Sequence, residues 1–176
     1  MSKVVIVTGA SKGIGFETAK LLVERGFKVC ICSRNSTEIK AAGKKLGKNA
    51  LALTVDVANA SECKLLFDKV ISHFGSVDFL VNNAGIGFSK PLSETTESEI
   101  NDVINVNLKG MIYCCKYACQ VIKRGAVVNI SSIYGKVASA NTSVYCASKF
   151  GVIGLTKALS LEVYPRIKFF AVCPGA

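Results

Sequence analysis

The stretch VVIVTGASKGIG (residues 4–15) joins an apolar strand to a glycine-rich turn and to the start of a helix. The helical pattern begins at Gly13 and continues to about Arg25. Gly9, Gly13 and Gly15 stand where the backbone must turn tightly and approach a pyrophosphate, which leaves room for glycine alone. Free N–H groups and the positive dipole end of the helix bind phosphates. The stretch therefore predicts a dinucleotide-binding strand, turn and helix.

Five further apolar runs follow the first strand, and patterns typical of helices separate them. The six predicted strands are VVIVT (4–8), KVCICS (28–33), ALALTV (50–55), DFLVN (78–82), AVVNIS (126–131) and KFFAVC (168–173). Strands that alternate with helices predict a parallel sheet. Because the runs are apolar at nearly every position, we expect helices on both faces of the sheet. The sequence predicts an α/β fold, a three-layer doubly wound parallel sheet, in a single domain over residues 1–176.

The composition is that of one well-packed domain with a basic surface. Of the 176 residues, 50% are hydrophobic, and the formal net charge is +10. The basic run KAAGKKLGK (40–48) places its lysines at helical spacing beside Ile39, Ala42 and Leu46, without aromatic residues that could stack on bases. We therefore expect a solvated helix face and no nucleic-acid partner. The excess positive charge favours anionic ligands.

The cysteines predict a reduced, cytoplasmic protein. Those within apolar strand or helix patterns are Cys30, Cys32, Cys114, Cys115, Cys119 and Cys173. In such patterns cysteine acts as a small buried hydrophobe. No CxxC pair occurs and the single histidine, His73, lacks neighbours with metal-ligand spacing, so we expect no metal site. We expect neither a leader, because Met1-Ser2-Lys3 leads directly into the first strand, nor a membrane partner, because no stretch reaches the roughly 18 consecutive apolar residues of a membrane span.

Tyr145 and Lys149 lie in SVYCASKFG (143–151), within a long apolar helical pattern that runs from about Ser143 to Glu162. Residues four apart project from the same face of a helix, so the phenol and the ammonium group can share one cleft. An ammonium group beside a phenol stabilises its anion, which suits the phenol to proton transfer. A lone pair at this spacing is also common on helix surfaces. Asn107 and Ser132 upstream favour the catalytic interpretation.

Seven ordered motifs lie along the chain at a spacing typical of one protein family. They are TGASKGIG (8–15), Asp56 in VDV, Asn82-Asn83-Ala84-Gly85, Asn107 in NVNL, Ser132 in NISS, Tyr145-x-x-x-Lys149 and Pro174-Gly175. On these motifs the whole chain resembles the short-chain dehydrogenase/reductase family. The resemblance implies a Rossmann-like fold and an oxidoreductase that interconverts an alcohol and a carbonyl by hydride transfer. Among its members we favour 3-oxoacyl-(acyl-carrier-protein) reductase-like and broad carbonyl-reducing enzymes.

The resemblance also implies the roles of individual residues. Tyr145 would exchange a proton with the substrate oxygen, Lys149 would hold the nicotinamide ribose, and Ser132 would hydrogen-bond the substrate oxygen. Asn107 would position Lys149 through a bound water. The residues expected to bind the cofactor are Gly9, Ser11, Lys12, Gly13, Ile14, Gly15, Ser33, Arg34, Asp56, Val57, Asn83, Ala84, Gly85, Tyr145, Lys149, Pro174 and Gly175.

The residues after the second strand favour NADP over NAD. An NAD-preferring relative would carry an acidic residue there, whereas this chain has Ser33 and Arg34. Arg34 can pair bidentately with a 2′-phosphate, and Lys12 could add a second positive charge. Both could instead be ordinary surface cations of a basic protein. We prefer the first interpretation because the sequence places no competing carboxylate beside the pair.

The helices that carry Asn107 and Tyr145 are apolar nearly all round, which predicts burial against another subunit in a homodimer or homotetramer. The sequence stops at Ala176, where the family pattern continues, so we expect the family's C-terminal strand and substrate-covering helices to be missing. The sequence is consistent with two functions. The first is an NADP-dependent oxidoreductase, and the alternative is a non-catalytic NADP-binding or assembly subunit.

Overall fold

The structure is a computed structural model that describes residues 2–175. Its strands and helices alternate along the chain as β1 Val4–Thr8, α1 Gly13–Glu24, β2 Lys28–Ser33, α2 Ser36–Leu46, β3 Ala50–Thr54, α3 Ala60–Phe74, β4 Phe79–Asn82, α4 Glu97–Ile104, α5 Gly110–Val121, β5 Gly125–Ile130, α6 Ser143–Glu162 and β6 Ile167–Val172. A π-helical segment, Asn105–Lys109, joins α4 to α5, and short 3-10 turns occur at Leu92–Glu94 and Ile133–Gly135. The predicted strands are all present, with bounds shifted by at most one residue.

The six strands form one parallel sheet in the order β3-β2-β1-β4-β5-β6. In the register, Val5 of β1 lies between Val29 of β2 and Phe79 of β4. After β3 the chain returns to the centre of the sheet and builds outward on the other side of β1. The crevice between the carboxyl ends of β1 and β4 is therefore the topological switch point, where open α/β sheets bind ligands. The predicted doubly wound α/β fold is confirmed.

Strand β1 separates two hydrophobic cores, because successive side chains point to opposite faces of a strand. Val4 and Ile6 pack with the buried side chains of α3, α5 and α6. Val5 and Val7 pack with those of α1 and α2 on the other face. Burying an aliphatic side chain of this size contributes roughly 1.5–3 kcal/mol to stability. The central strands are thus held between two helical layers, as their continuous apolar sequence predicts.

Strand β6 differs from the expectation that both faces of every strand are covered. Ile167 and Phe169 are buried, whereas Lys168 and Val172 are exposed and Phe170 is 49% exposed. This alternation is typical of a strand that is covered on one face. The adjacent phenylalanines hid the alternation, because apolar residues occupy both faces of the strand.

The predicted burial along α2 is observed, and the predicted burial of the cysteines is observed in part. Lysines 40, 44, 45 and 48 are exposed, and Ile39, Ala42 and Leu46 are buried beneath α2. All eight cysteines are free thiols, although Cys119 and Cys173 are only half-buried.

Between residues 2 and 175, no helix has both the length and the apolar character that crossing a bilayer requires. The same residues contain no group of three His, Cys, Asp or Glu side chains placed to hold a metal ion.

Candidate active site

Two adjoining clefts lie along the carboxyl edge of the sheet. The first has a volume of about 450 Å³ and is called here the glycine-loop cleft. The second has a volume of about 610 Å³ and is called the tyrosine cleft. Asn83, Gly85 and Ile86, which follow β4, line both clefts and form their common wall. The two clefts therefore adjoin across the switch point of the sheet, and together they are called the groove.

The structure brings most of the predicted site residues into this groove. Those in the glycine-loop cleft are Gly9, Ser11, Lys12, Ser33, Arg34, Asp56, Val57, Asn83, Ala84 and Gly85. Those in the tyrosine cleft are Ile14, Asn83, Gly85, Ser132, Tyr145, Lys149, Pro174 and Gly175. Gly13, Gly15 and Asn107 line neither cleft. The groove thus has a basic end at Lys12 and Arg34 and a tyrosine–lysine end.

The start of α1 fits a phosphate group. The N-cap residue Lys12 makes no side-chain capping hydrogen bond, and the first turn of α1 contains no acidic residue. The next three helices are capped by the side chains of Asn35, Asn59 and Thr96. Only α1 among these four leaves its first N–H groups without a side-chain acceptor. An anion is a suitable partner for such N–H groups at the positive end of a helix dipole.

The three glycines of the loop serve different purposes. Gly9 and Gly13 have φ angles of +63° and +61°, which side chains with a Cβ atom adopt at a cost. A Cβ atom on Gly9 would lie 2.6 Å from the Cα atom of Ala84, and one on Gly15 would overlap the side-chain amide of Asn83. Only Gly13 faces open space. Gly9 and Gly15 are therefore required by the protein's own packing, whereas the sequence suggested that all three make room for a pyrophosphate.

Asn83 joins the segment after β4 to the glycine loop. Its side-chain Nδ2 donates hydrogen bonds to the carbonyl oxygens of Thr8 (3.0 Å) and Gly9 (2.9 Å). The Thr8 hydroxyl accepts hydrogen bonds from the backbone N–H groups of Asn83 (3.0 Å) and Ala84 (3.1 Å). These four bonds fix the common wall of the groove against the carboxyl end of β1.

A carboxylate lies at the basic end of the groove, contrary to the expectation from the sequence. The hydroxyl of Ser11 donates a 3.1 Å hydrogen bond to Oε2 of Glu38, and Nζ of Lys12 lies 3.7 Å from Oε1. Glu38 lines the same cleft as Ser33 and Arg34. It was missed because it belongs to the first turn of α2 and not to the end of β2. The signal that could have found it is the spacing of an N-cap asparagine and a glutamate three residues later.

Asp56 and Val57 form the far side of the glycine-loop cleft. One carboxylate oxygen of Asp56 accepts a 3.0 Å hydrogen bond from the backbone N–H of Ala58, and Glu62 accepts one of 2.8 Å from the N–H of Asp56. The thiol of Cys63 donates to the Val57 carbonyl at 3.2 Å. These bonds fix the turn after β3 and keep its backbone at the edge of the cleft.

Tyr145 and Lys149 enter the tyrosine cleft from the first two turns of α6. Nζ of Lys149 lies 5.6 Å from the centroid of the Tyr145 ring and donates a 3.0 Å hydrogen bond to the Ile130 carbonyl at the end of β5. Lys149 is only 3% exposed. This burial lowers the pKa of Lys149 from 10.5 to about 8, because removing an ammonium group from water disfavours its charged form.

Ser132 follows β5 and begins the 3-10 turn Ile133–Gly135. Its Oγ accepts a 3.2 Å hydrogen bond from the backbone N–H of Tyr134. This bond orients the hydroxyl and leaves its proton free to donate to another oxygen. The neighbouring Ile133 N–H donates to the Pro174 carbonyl at 2.9 Å, which places the segment after β6 beside Ser132.

Asn107 supports the common wall from behind. It lies in the π-helical segment, a form that often occurs at functional sites, and it is fully buried. Its Oδ1 accepts from the N–H of Ile86 and its Nδ2 donates to the Ile86 carbonyl, both at 2.8 Å; Nδ2 also donates to Oγ of Ser148 at 3.1 Å. Within residues 2–175, Asn107 makes no direct hydrogen bond to Lys149, and its effect on Lys149 through a water stays a prediction.

Two further residues shape the tyrosine cleft. Gly87 lines it beside Tyr145, and the Tyr134 ring meets the Tyr145 ring edge-on, with centroids 6.3 Å apart and an interplanar angle of 85°. Neither residue was among the predicted site residues. No local signal predicts that the Tyr134 and Tyr145 rings meet, because a turn and the start of a helix separate them.

The comparisons with known proteins decide the family. The sequence profile described as short chain dehydrogenase matches residues 3–176. The chain belongs to the short-chain dehydrogenase family. This assignment confirms the resemblance found in the sequence and places the chain in a family of oxidoreductases.

Two relatives of this short-chain dehydrogenase illustrate the similarity. The chain is 41% identical over 179 residues to carbonyl reductase family member 4 of Xenopus tropicalis, covering 99% of this chain and 75% of that protein. It is 42% identical over 183 residues to a 3-oxoacyl-(acyl-carrier-protein) reductase of Staphylococcus aureus, covering 99% of this chain and 74% of that protein.

A solved structure agrees with the fold of the short-chain dehydrogenase described here. The structure of actinorhodin polyketide ketoreductase with NADPH superposes with a TM-score of 0.94 at 37% sequence identity. The match covers 99% of this chain and 70% of the ketoreductase chain. This chain therefore shares its fold with that ketoreductase.

Proposed function

We propose that this short-chain dehydrogenase binds NADPH and reduces a carbonyl group to an alcohol, or catalyses the reverse oxidation. The observation that carries the proposal is that the glycine-loop cleft and the tyrosine cleft adjoin and share Asn83, Gly85 and Ile86. An elongated dinucleotide suits this groove, because phosphate-binding groups line one part and proton-transfer groups line another. We further propose that the chain acts as one dinucleotide-binding domain.

The glycine-loop cleft supplies the contacts for the adenosine half of the cofactor. The uncapped start of α1 would bind the pyrophosphate, and Lys12 and Arg34 would bind the 2′-phosphate through charge-assisted hydrogen bonds. Asp56 and Val57 would flank the adenine. The preference for NADPH is supported by the ketoreductase that was solved with NADPH.

The tyrosine cleft supplies acid–base chemistry. When bound, the nicotinamide would supply or accept the hydride. Tyr145 would donate a proton from its hydroxyl to the substrate oxygen during reduction, and Ser132 would donate a second hydrogen bond to that oxygen. The ammonium group of Lys149 would bind the nicotinamide ribose and stabilise the phenolate that remains. Near neutral pH most molecules carry the required proton on Lys149, because the pKa of this side chain is about 8.

The substrate would be a ketone or a 3-oxoacyl thioester. The relatives named 3-oxoacyl reductase and carbonyl reductase support these two classes. Phe88, Tyr134 and Thr142 line the tyrosine cleft around Tyr145 and would contact the substrate. We also propose that the chain forms a homodimer or homotetramer, because Ile112 of α5 and Phe150 of α6 are 39% and 46% exposed. A cytoplasmic location stays a prediction.

The proposal is tested by titrating NADPH against the protein and then following NADPH oxidation with a 3-oxoacyl thioester and a simple ketone. We expect saturable binding and oxidation that depends on the carbonyl compound. Binding without turnover with either compound would favour the alternative, a non-catalytic NADP-binding or assembly subunit. No binding of NADPH or NADH would overturn both interpretations.

A further inference from the structure

We propose that Glu38 is a specificity-determining residue that weakens the preference of the groove for the 2′-phosphate of NADPH. The proposal rests on the function proposed above, because it concerns the same glycine-loop cleft. Its basis is the position of the Glu38 carboxylate, which accepts a hydrogen bond from Ser11 at 3.1 Å and lies 3.7 Å from the ammonium group of Lys12. Glu38 thus already pairs with two groups that would bind a phosphate, the Ser11 hydroxyl and the Lys12 ammonium group.

The N-cap of α2 fixes the backbone position of Glu38. Asn35 caps α2, and its Oδ1 accepts a 3.0 Å hydrogen bond from the N–H of Glu38. Glu38 is therefore held in the first turn of a helix that starts directly beside Ser33 and Arg34. Its side chain needs only to extend across the cleft to reach the glycine loop.

A second helix in the chain shows the usual alternative for a glutamate in this position. Glu99 of α4 returns to its own N-cap, where it accepts a 2.8 Å hydrogen bond from the N–H of Thr96 and completes a capping box. The carboxylate of Glu38 instead reaches the glycine loop, 27 residues away in sequence. The two glutamates have the same helical position and different partners, and Glu62 of α3, also three residues after its N-cap, accepts from the N–H of Asp56. The contact of Glu38 with the loop is therefore not dictated by its helical position.

The charges in the cleft give this contact its consequence. Lys12 and Arg34 supply two positive charges, and Glu38 supplies one negative charge at the same end of the groove. A 2′-phosphate would meet this carboxylate as a like charge and would compete with it for Lys12 and for the Ser11 hydroxyl. The adenosine ribose of NADH carries a hydroxyl at the same position and can donate a hydrogen bond to a carboxylate. Glu38 therefore weakens the binding of NADPH and does not weaken the binding of NADH.

The test compares the wild-type protein with Glu38→Gln, which removes the charge and keeps the shape and an acceptor oxygen for Ser11. Glu24→Gln is the matched control, because Glu24 is an exposed glutamate at the far end of α1 and its replacement changes the net charge equally. Dissociation constants are measured for NADPH and NADH by fluorescence. Adenosine 2′,5′-bisphosphate and adenosine 5′-monophosphate, measured by calorimetry, isolate the effect of the 2′-phosphate without the nicotinamide.

We expect Glu38→Gln to tighten the binding of NADPH and of adenosine 2′,5′-bisphosphate about fivefold to tenfold. The binding of NADH and of adenosine 5′-monophosphate should be unchanged or slightly weaker. Glu24→Gln should change each constant less than twofold. A ratio of NADH to NADPH dissociation constants that Glu38→Gln leaves unchanged would overturn this inference alone. Equal weakening of all four ligands would also overturn it, because Glu38 would then only hold the loop in shape. Failure of the wild-type protein to bind either cofactor would overturn the proposed function as well.

Discussion

A Cβ atom on Gly87 would lie 2.7 Å from Cδ2 and 2.9 Å from Cε2 of Tyr145. These distances are shorter than carbon atoms tolerate, so the ring of Tyr145 occupies space that only glycine at position 87 leaves open. The segment after β4 thus sets the position of the proposed acid on α6. Because proton and hydride transfer require close alignment, a small displacement of this ring should be visible in turnover.

The first prediction concerns Gly87→Ala. The added methyl group should push the Tyr145 ring away and lower kcat by roughly tenfold to a hundredfold, while NADPH binding in the glycine-loop cleft changes little. Gly154→Ala is the control, because Gly154 lies on the same helix as Tyr145 and a Cβ atom there meets no atom within 4 Å. Steady-state kinetics and a cofactor titration check both variants. Turnover near the wild-type rate in Gly87→Ala would show that the ring position is not critical.

Removing the hydroxyl of Tyr145 should separate catalysis from binding. Tyr145→Phe keeps the ring that packs against Gly87 and Tyr134 and deletes only the proton donor. We expect kcat to fall by about a hundredfold or more, with the NADPH dissociation constant changed less than threefold. Tyr113→Phe on α5, outside both clefts, should leave both quantities unchanged. Near-normal turnover in Tyr145→Phe would assign proton transfer to another group.

Arg34 should decide the preference between the two cofactors. Arg34→Asp removes a charge-assisted contact with the 2′-phosphate and adds a like charge, so NADPH should bind at least tenfold more weakly. NADH, which has no 2′-phosphate, should change less than threefold. Arg25→Asp makes the same change in net charge and serves as the control, because Arg25 lies at the C-terminal end of α1, away from the glycine loop. Parallel loss of NADPH and NADH binding in Arg34→Asp would mean that Arg34 does not contact the 2′-phosphate.

The buried ammonium group of Lys149 should make stability depend on pH. Its pKa is about 8 in the folded chain and 10.5 when exposed, so between these values the unfolded chain binds more protons than the folded chain. The free energy of unfolding therefore rises as pH rises through this window, and the penalty of burying the charge is complete below about pH 8. Relative to Lys149→Met, the wild-type chain without cofactor should gain about 2 kcal/mol between pH 7 and pH 9.5. Urea unfolding of both proteins at each pH measures this difference; a constant difference would contradict the assigned burial.

Much of the fold follows from local patterns in the sequence. The apolar runs that predicted β1 and β2 have the observed bounds, and α6 spans the predicted Ser143–Glu162. Tyr145 and Lys149 share one cleft because four residues make about one helical turn. These features depend on periodicity and on the special backbone freedom of glycine, which are properties of a few neighbouring residues. The sequence alone was sufficient for the sheet, its main helices and the two ends of the groove.

Only the tertiary structure decided which distant groups meet. The contact of Glu38 with Ser11, the hydrogen bonds of Asn107 with Ile86 and the space that Gly87 leaves for Tyr145 all join different elements. Each depends on how a loop at the carboxyl edge of the sheet is placed against a helical segment, and side-chain periodicity contains no information about that placement. Burial has the same limitation, since the apolar sequence of β6 does not show that only one of its faces is covered. The carboxylate beside Lys12 could thus be found only after the sheet had brought the glycine loop and α2 together.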